Sequence, residues 1–210
     1  MGGVMEIRDI RAVLFDMDGT LVDSDAVVDR SWSRWATEFG LVAAEVLAVA
    51  HGNPAMATVA HFLPDASTAD RTAAWSRVFD LEVNDVDGVV AKPGALELLG
   101  TLERIGLPWA VYTSAPAQLA KVRLTAAGIA PSVLVTVDDV SRGKPDPEGY
   151  LRAAELLGVP VKRCLVVEDT VVGLSAGQAS GALTAGLKGI PADIELPDLH
   201  CLDALFKGLE

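Results

Sequence analysis

The chain predicts a doubly wound α/β fold, a parallel sheet with helices on both faces, interrupted near its start by a helical insertion. Three observations point there: short continuous apolar runs that end at polar residues, helix-period segments alternating with those runs, and one long stretch with no convincing strand. The first run, Ala12, Val13, Leu14 and Phe15, suits a strand buried on both faces. Residues 22–89 then carry helical patterns over 26–39, 43–49, 55–62 and 69–79, with 64–72 as a loop leading into the last. A helical cap over 22–89 would leave 1–21 and 90–210 as the α/β core. Its position after the first strand suggests a lid, because open α/β sheets bind ligands at the carboxyl ends of their strands. Beyond it, the helix expected at 94–105 has Pro93 for its first turn and an apolar stripe of Leu98, Leu102 and Ile105. Strands at 109–113, 133–137 and 164–167 alternate with helices at 117–127, 148–157 and 171–180, and a weaker strand follows at 183–187. Gly106, Gly128 and Gly158 fall where helices should stop.

Composition narrows the function. A 210-residue chain can bury a sizeable core, as one large domain or a core with a modest insertion. No apolar segment is long enough to span a bilayer, so no membrane role is expected. The formal charge of −12, from 17 basic and 29 acidic residues, opposes general attraction to nucleic acid, and a phosphorylated ligand would need locally placed cations. Cys164 and Cys201 form neither a metal-ligand spacing nor a disulfide framework, which makes a reducing, cytoplasmic setting the expectation.

The chemistry gathers at strand ends. Asp16, Met17, Asp18, Gly19 and Thr20 directly follow the first apolar run. Side chains alternate faces along a strand, so Asp16 and Asp18 can project from one side of its end, with Gly19 allowing the turn away. One carboxylate of such a pair can bind a metal and attack an electrophile while the other exchanges a proton. The same residues also suit a plain strand-end turn. Thr113, Ser114 and Ala115 lead from a strand into a helix and offer a hydroxyl and N–H groups to an anion, or simply cap the helix. Lys144 lies in the run Gly143, Lys144, Pro145, Asp146 and Pro147, where prolines restrict the backbone around a single ammonium. Glu168 and Asp169 end another apolar strand, placed either for magnesium, which favours oxygen ligands, or for the N-terminus of the next helix.

Taken in order, these motifs make the chain similar to the haloacid dehalogenase superfamily, in its phosphatase and phosphomutase branch with a helical cap. The resemblance rests on Phe15 through Ser24, on Gly143 through Pro147 and on Val167 through Thr170, with further similarity at residues 26–36 and 51–55 in the cap. It looks most like the bacterial sugar and polyol phosphatases. The resemblance implies a Rossmann-like core, with Asp16 as nucleophile and Asp18 as general acid/base. Thr113 and the nearby Ser114 and Ala115 amides would hold the transferring phosphoryl group, and Lys144 would steady it and Asp16. Mg2+ would be bound by Asp16, the backbone carbonyl of Asp18 and Asp169, with Glu168 acting through water or from behind the ligands. The partner would be a small phosphorylated sugar or polyol.

Retention of Asp18 disfavours dehalogenation, which dispenses with such an acid and with magnesium. A β-phosphoglucomutase-like isomerase is the harder alternative; its cap carries a histidine where this chain has Val28. A catalytically silent phosphosugar-binding module is a third, although no catalytic residue is lost. In the cap, His51, Gly52 and Asn53 stand where a substrate contact is expected, and similar phosphatases carry a basic residue at the place of Asn53 and Pro54. A lone His there also suits a structural role. Trp32 and Trp35, at helical spacing, are more economically explained by packing than by a pocket.

Overall fold

Ala12–Phe15, four residues with no solvent exposure, form β1, the strand around which the core is arranged. The computed structural model describes residues 7–51 and 53–208. After β1 come β2 (Val22–Asp23) and four helices, α1 (Asp25–Glu38), α2 (Ala43–Ala50), α3 (Ala55–Phe62) and α4 (Thr68–Asn84). The chain continues through β3 (Val90–Ala91), α5 (Ala95–Arg104), β4 (Trp109–Tyr112), α6 (Ala117–Ala126) and β5 (Leu134–Val135). It ends with α7 (Glu148–Leu156), β6 (Cys164–Glu168), α8 (Val171–Ser180), β7 (Leu183–Gly186), β8 (Ile194–Glu195) and α9 (Leu199–Lys207).

The main sheet has six strands in the order β5-β4-β1-β6-β7-β8, and its pairings are parallel. Order reverses at β1, the point where open α/β sheets open a crevice for ligands. Phe15 is in register with Val111 of β4 and with Val167 of β6, so these three strands end level. Asp16, Thr113 and Glu168 are thereby brought to one edge of the sheet by backbone register alone. The core beneath them joins Leu14, Ala110, Tyr112, Tyr150, Ala153 and Val166 in one buried cluster.

Two compact units divide the chain, one holding the residues up to Asp23 and from Val90 on, the other Ser24–Val89. Within the first, β2 and β3 form an antiparallel ribbon that pairs Val22 with Ala91 and Asp23 with Val90. The pattern over 22–89 predicts no strand at Val22 and Asp23, because a two-residue strand carries no periodicity to read. The second unit packs its four helices around Trp32, Trp35, Val46, Val59 and Val78. Trp35 is fully buried, stacks edge-on to Trp32 at 5.3 Å and donates its indole N–H to the Ala74 carbonyl at 2.9 Å. A buried indole needs such an acceptor. α4 runs past its expected end at residue 79 to Asn84, and its start is fixed by the Ser67 side chain, which accepts from the Asp70 N–H.

The sequence reading did not foresee β8 or α9. α9 packs against α5, and Asp203 on it accepts a buried hydrogen bond from Thr101. Among the described residues, no helix is long and apolar enough to cross a membrane.

Candidate active site

At the level edge of β1 and β6, Lys144 is enclosed by acids. Its Nζ lies 2.5 Å from Asp16 Oδ1 and 2.6 Å from Glu168 Oε1, and it donates to the Tyr112 carbonyl at 3.3 Å. The ammonium also sits over the rings of Tyr112 and Tyr150, at 4.9 and 5.4 Å from their centroids. Side-chain exposure is 6% for Lys144, 11% for Asp16 and nil for Glu168, so this is a desolvated charge cluster whose members depend on one another. Burial pushes the Asp16 carboxyl well above its ordinary range, Lys144 pulls it back, and Glu168 and Asp169 add to the rise. Burial alone would favour a neutral amine at Lys144, but attraction to Asp16 and Glu168 outweighs it and raises the pKa. Lys144 therefore remains the cation of the cluster.

Glu168 is saturated by protein donors. Tyr150 and Lys144 donate to Oε1, while the Asp169 N–H, the Thr170 N–H and the Thr170 hydroxyl donate to Oε2. Burial raises the Tyr150 pKa well above its ordinary value, which keeps its hydroxyl a donor. α8 comes close enough that a Cβ at Gly173 would lie 1.8 Å from Glu168 Oε1, so only glycine fits there. This carboxylate is built to hold Lys144 and the start of α8 in place.

Asp169 faces the other way. Its Oδ2 is 2.7 Å from Lys188 Nζ and its Oδ1 accepts from Thr20 at 3.3 Å. Burial raises its pKa against the opposing pull of Lys188. Gly19, in the left-handed region at φ 85°, keeps this face open, since a Cβ there would lie 2.2 Å from Asp169 Oδ2. Carboxylate oxygens of Asp16, Glu168 and Asp169 all lie within 4.8 Å of one another. Three buried or nearly buried carboxyls against two ammonium groups, with oxygen as the donor throughout, fit a hard divalent cation such as Mg2+.

Asp18 is held by a residue the sequence reading passed over: Arg123 on α6, whose Nη1 is 3.1 Å from Asp18 Oδ2 and whose side chain is 5% exposed. Thr113 is buried at the end of β4 and its hydroxyl accepts the Ala115 N–H at 3.0 Å. That amide, expected to be open to an anion, is thus engaged within its own loop, while Ser114 is exposed. In the helical unit, His51 ends α2 and its Nε2 is 2.7 Å from Asp29 Oδ1. Asn53 Nδ2 donates to the Val49 carbonyl at 2.7 Å, and Gly52 lies outside the described residues. The sequence reading also missed Tyr112, Tyr150, Thr20 and Lys188. Tyrosines inside helix or strand patterns read as packing, and Lys188 lies 19 residues along the chain from Asp169, outside every motif; the structure marks it as a non-glycine residue at φ 56°.

The chain is 42% identical over 201 residues to hexitol phosphatase A of Escherichia coli strain K12, covering 95% of this chain and 92% of that one. It is 34% identical to 2-deoxyglucose-6-phosphate phosphatase 1 of Saccharomyces cerevisiae, covering 83% and 78%. The crystal structure of β-phosphoglucomutase from Clostridium difficile superposes with a TM-score of 0.79 over 95% of this chain and 98% of that one; at 18% identity the likeness is one of fold. A family model described as haloacid dehalogenase-like hydrolase matches residues 10–181, and the chain belongs to that family.

Proposed function

We propose that the protein is a magnesium-dependent phosphatase of small sugar or polyol phosphates that works through an aspartyl phosphate on Asp16. The observation that carries the reading is the buried Asp16 carboxylate fixed 2.5 Å from the Lys144 ammonium, beside a second acid, Asp18, anchored on the same turn. The substrate class is supported by the relatives named for hexitol and 2-deoxyglucose-6-phosphate hydrolysis.

Asp16 attacks phosphorus, the bond to the sugar oxygen breaks with its electron pair staying on that oxygen, and Asp18 supplies the proton. Asp18 then takes a proton from water as the water oxygen bonds to phosphorus and the Asp16–phosphorus bond breaks. Lys144 offsets negative charge on Asp16 and on the phosphoryl oxygens. The Thr113 hydroxyl and the Ser114 amide hold the phosphoryl group. Asp16, the Asp18 carbonyl and Asp169 would hold Mg2+, which supplies charge neutralisation at the phosphoryl oxygens, while Glu168 fixes Lys144 from behind.

Hydrolysis rather than positional transfer is supported by Val28. It packs against the apolar interior of the helical unit and has no group to exchange a proton. Incubation with a panel of hexitol, hexose and pentose phosphates and Mg2+ should release inorganic phosphate, and chelation should stop it reversibly. Rapid conversion of β-glucose 1-phosphate to glucose 6-phosphate, with little phosphate released, would instead establish the isomerase.

A further inference from the structure

We infer that Lys188 is a built-in counter-ion of Asp169 that competes with Mg2+ for that carboxylate, and so sets the metal concentration at which the site fills. The inference rests on the reading of Asp169 as a Mg2+ ligand.

On backbone grounds alone a lysine is out of place at this position. Residues 187–190 make a four-residue turn in which the Ile190 N–H donates to the Leu187 carbonyl at 3.1 Å. Both central residues have positive φ, 56° at Lys188 and 73° at Gly189, the pattern of a type I′ turn. Such turns favour Asn or Gly at both places, and the left-handed region strains a residue with a long side chain. Among the described residues, Lys188 is the one non-glycine residue with positive φ. What distinguishes a lysine from an asparagine here is the ammonium, and its Nζ lies 2.7 Å from Asp169 Oδ2. Gly19 leaves the space for that contact: a Cβ there would lie 3.1 Å from Lys188 Nζ and 2.2 Å from Asp169 Oδ2. A break with local turn chemistry beside reactive groups is the kind of departure that function explains.

The two ends of the contact differ in freedom. The Asp169 side chain is 6% exposed and its Oδ1 accepts from the buried Thr20 hydroxyl, whereas the Lys188 side chain is 52% exposed. The acid is the fixed partner and the lysine the movable one. Gly19, Thr20 and Lys188 also line a cavity of about 240 Å3 with Lys92 and Asp198, all within the α/β unit, which gives the ammonium room to withdraw from Asp169. A positive charge already on Asp169 weakens its attraction for a second. Repulsion between an ammonium and a divalent ion a few ångströms apart is worth roughly a factor of ten in binding even at the dielectric of water. The competition is for Asp169, so it persists whatever further contacts Lys188 makes.

The test is calorimetric titration of the full-length, metal-stripped protein with Mg2+ at low ionic strength, where screening is least. Lys188→Asn removes the ammonium and suits the turn; it should bind Mg2+ about tenfold more tightly than the parent. Lys188→Arg, which keeps the charge, should stay within about twofold of the parent. Lys162 is exposed and precedes β6, at the opposite end of that strand from Asp169. Lys162→Met therefore controls for net charge, and it too should stay within about twofold.

Unchanged or weaker Mg2+ binding in Lys188→Asn would overturn the inference, the weaker case making Lys188 a brace that orients Asp169 for the metal. Tightening of the same size in Lys188→Arg or Lys162→Met would overturn it as well. If Lys188→Asn does not fold, the same titration on Lys188→Gly decides it. Asp169→Asn separates this inference from the reading beneath it. Binding as tight as the parent's in that variant would remove Asp169 as a ligand, whereas weakened binding there beside an indifferent Lys188→Asn would remove only the competition.

Discussion

The same kind of interaction appears in two settings in this protein. In the core, Asp16, Lys144 and Glu168 are 11%, 6% and 0% exposed, and each is neighboured by groups that would be stranded without it. In the helical unit, Arg30 pairs with Asp85, and Arg77 with Glu38, on surfaces where every partner is about a third exposed or more. The first arrangement removes charge from water, so its geometry is enforced; the second leaves water as a ready substitute. Burial, rather than distance, separates an interlocked charge cluster from a pair that trims a surface, for the Arg77–Glu38 contact is as short, at 2.6 Å, as that between Lys144 and Glu168.

The strongest challenge to that contrast is Asp16→Asn. Turnover should fall by at least about 10⁴-fold, as for the loss of a nucleophile, with the circular dichroism spectrum unaltered. Phosphate release near the parent rate would show that the buried cluster is not the reacting one. Next, Glu168→Gln removes a buried charge from the Lys144 cluster and should lower the unfolding free energy by about 3 kcal/mol in urea titrations. A midpoint equal to the parent's would mean that burial does not enforce the cluster after all.

Calorimetric titration with Mg2+ should sharpen the division of labour inside the site. Asp169→Asn should weaken binding more than Glu168→Gln, because the oxygens of Glu168 are occupied by protein donors. The reverse order would exchange their roles. The smallest effect belongs to the exposed pair. Glu38→Gln should leave the urea midpoint at pH 7 close to the parent's. Hydrogen bonding from Arg77 lowers the Glu38 carboxyl from an ordinary 4.5 to about 2, so its contribution is complete above pH 4.5 and fades as the pH falls towards 2. An acid titration of stability should accordingly be flatter in Glu38→Gln across that window, and a large loss at pH 7 would contradict the comparison.

Much of the architecture was legible because the core strands are continuous apolar runs, and β1, β4 and β6 emerge within a residue of where the pattern put them. β2, β3 and β8 have two residues each, too few for an alternation to register. α9 was readable in principle: Asp198 caps it and Leu199, Leu202 and Phe206 form its buried stripe. The acids and Lys144 were legible from their strand-end and loop positions. Arg123 was not, because pattern alone assigns a helical arginine to water, and only the tertiary packing of α6 reveals it on the inner face. The same limit applies to Glu168, whose saturation by five donors depends on Tyr150, Lys144 and the turn into α8.

The β2–β3 ribbon has a consequence for how this kind of chain can vary. The polypeptide leaves the core at Asp23 and returns at Val90, and those two residues are paired partners. From the standpoint of the core, everything between them is one loop closed at a single point, and the entropy of closing a loop grows only with the logarithm of its length. Descendants can therefore lengthen, shorten or exchange the inserted helices while the register that aligns Asp16 with its neighbours, fixed by β4 and β6, is inherited unchanged.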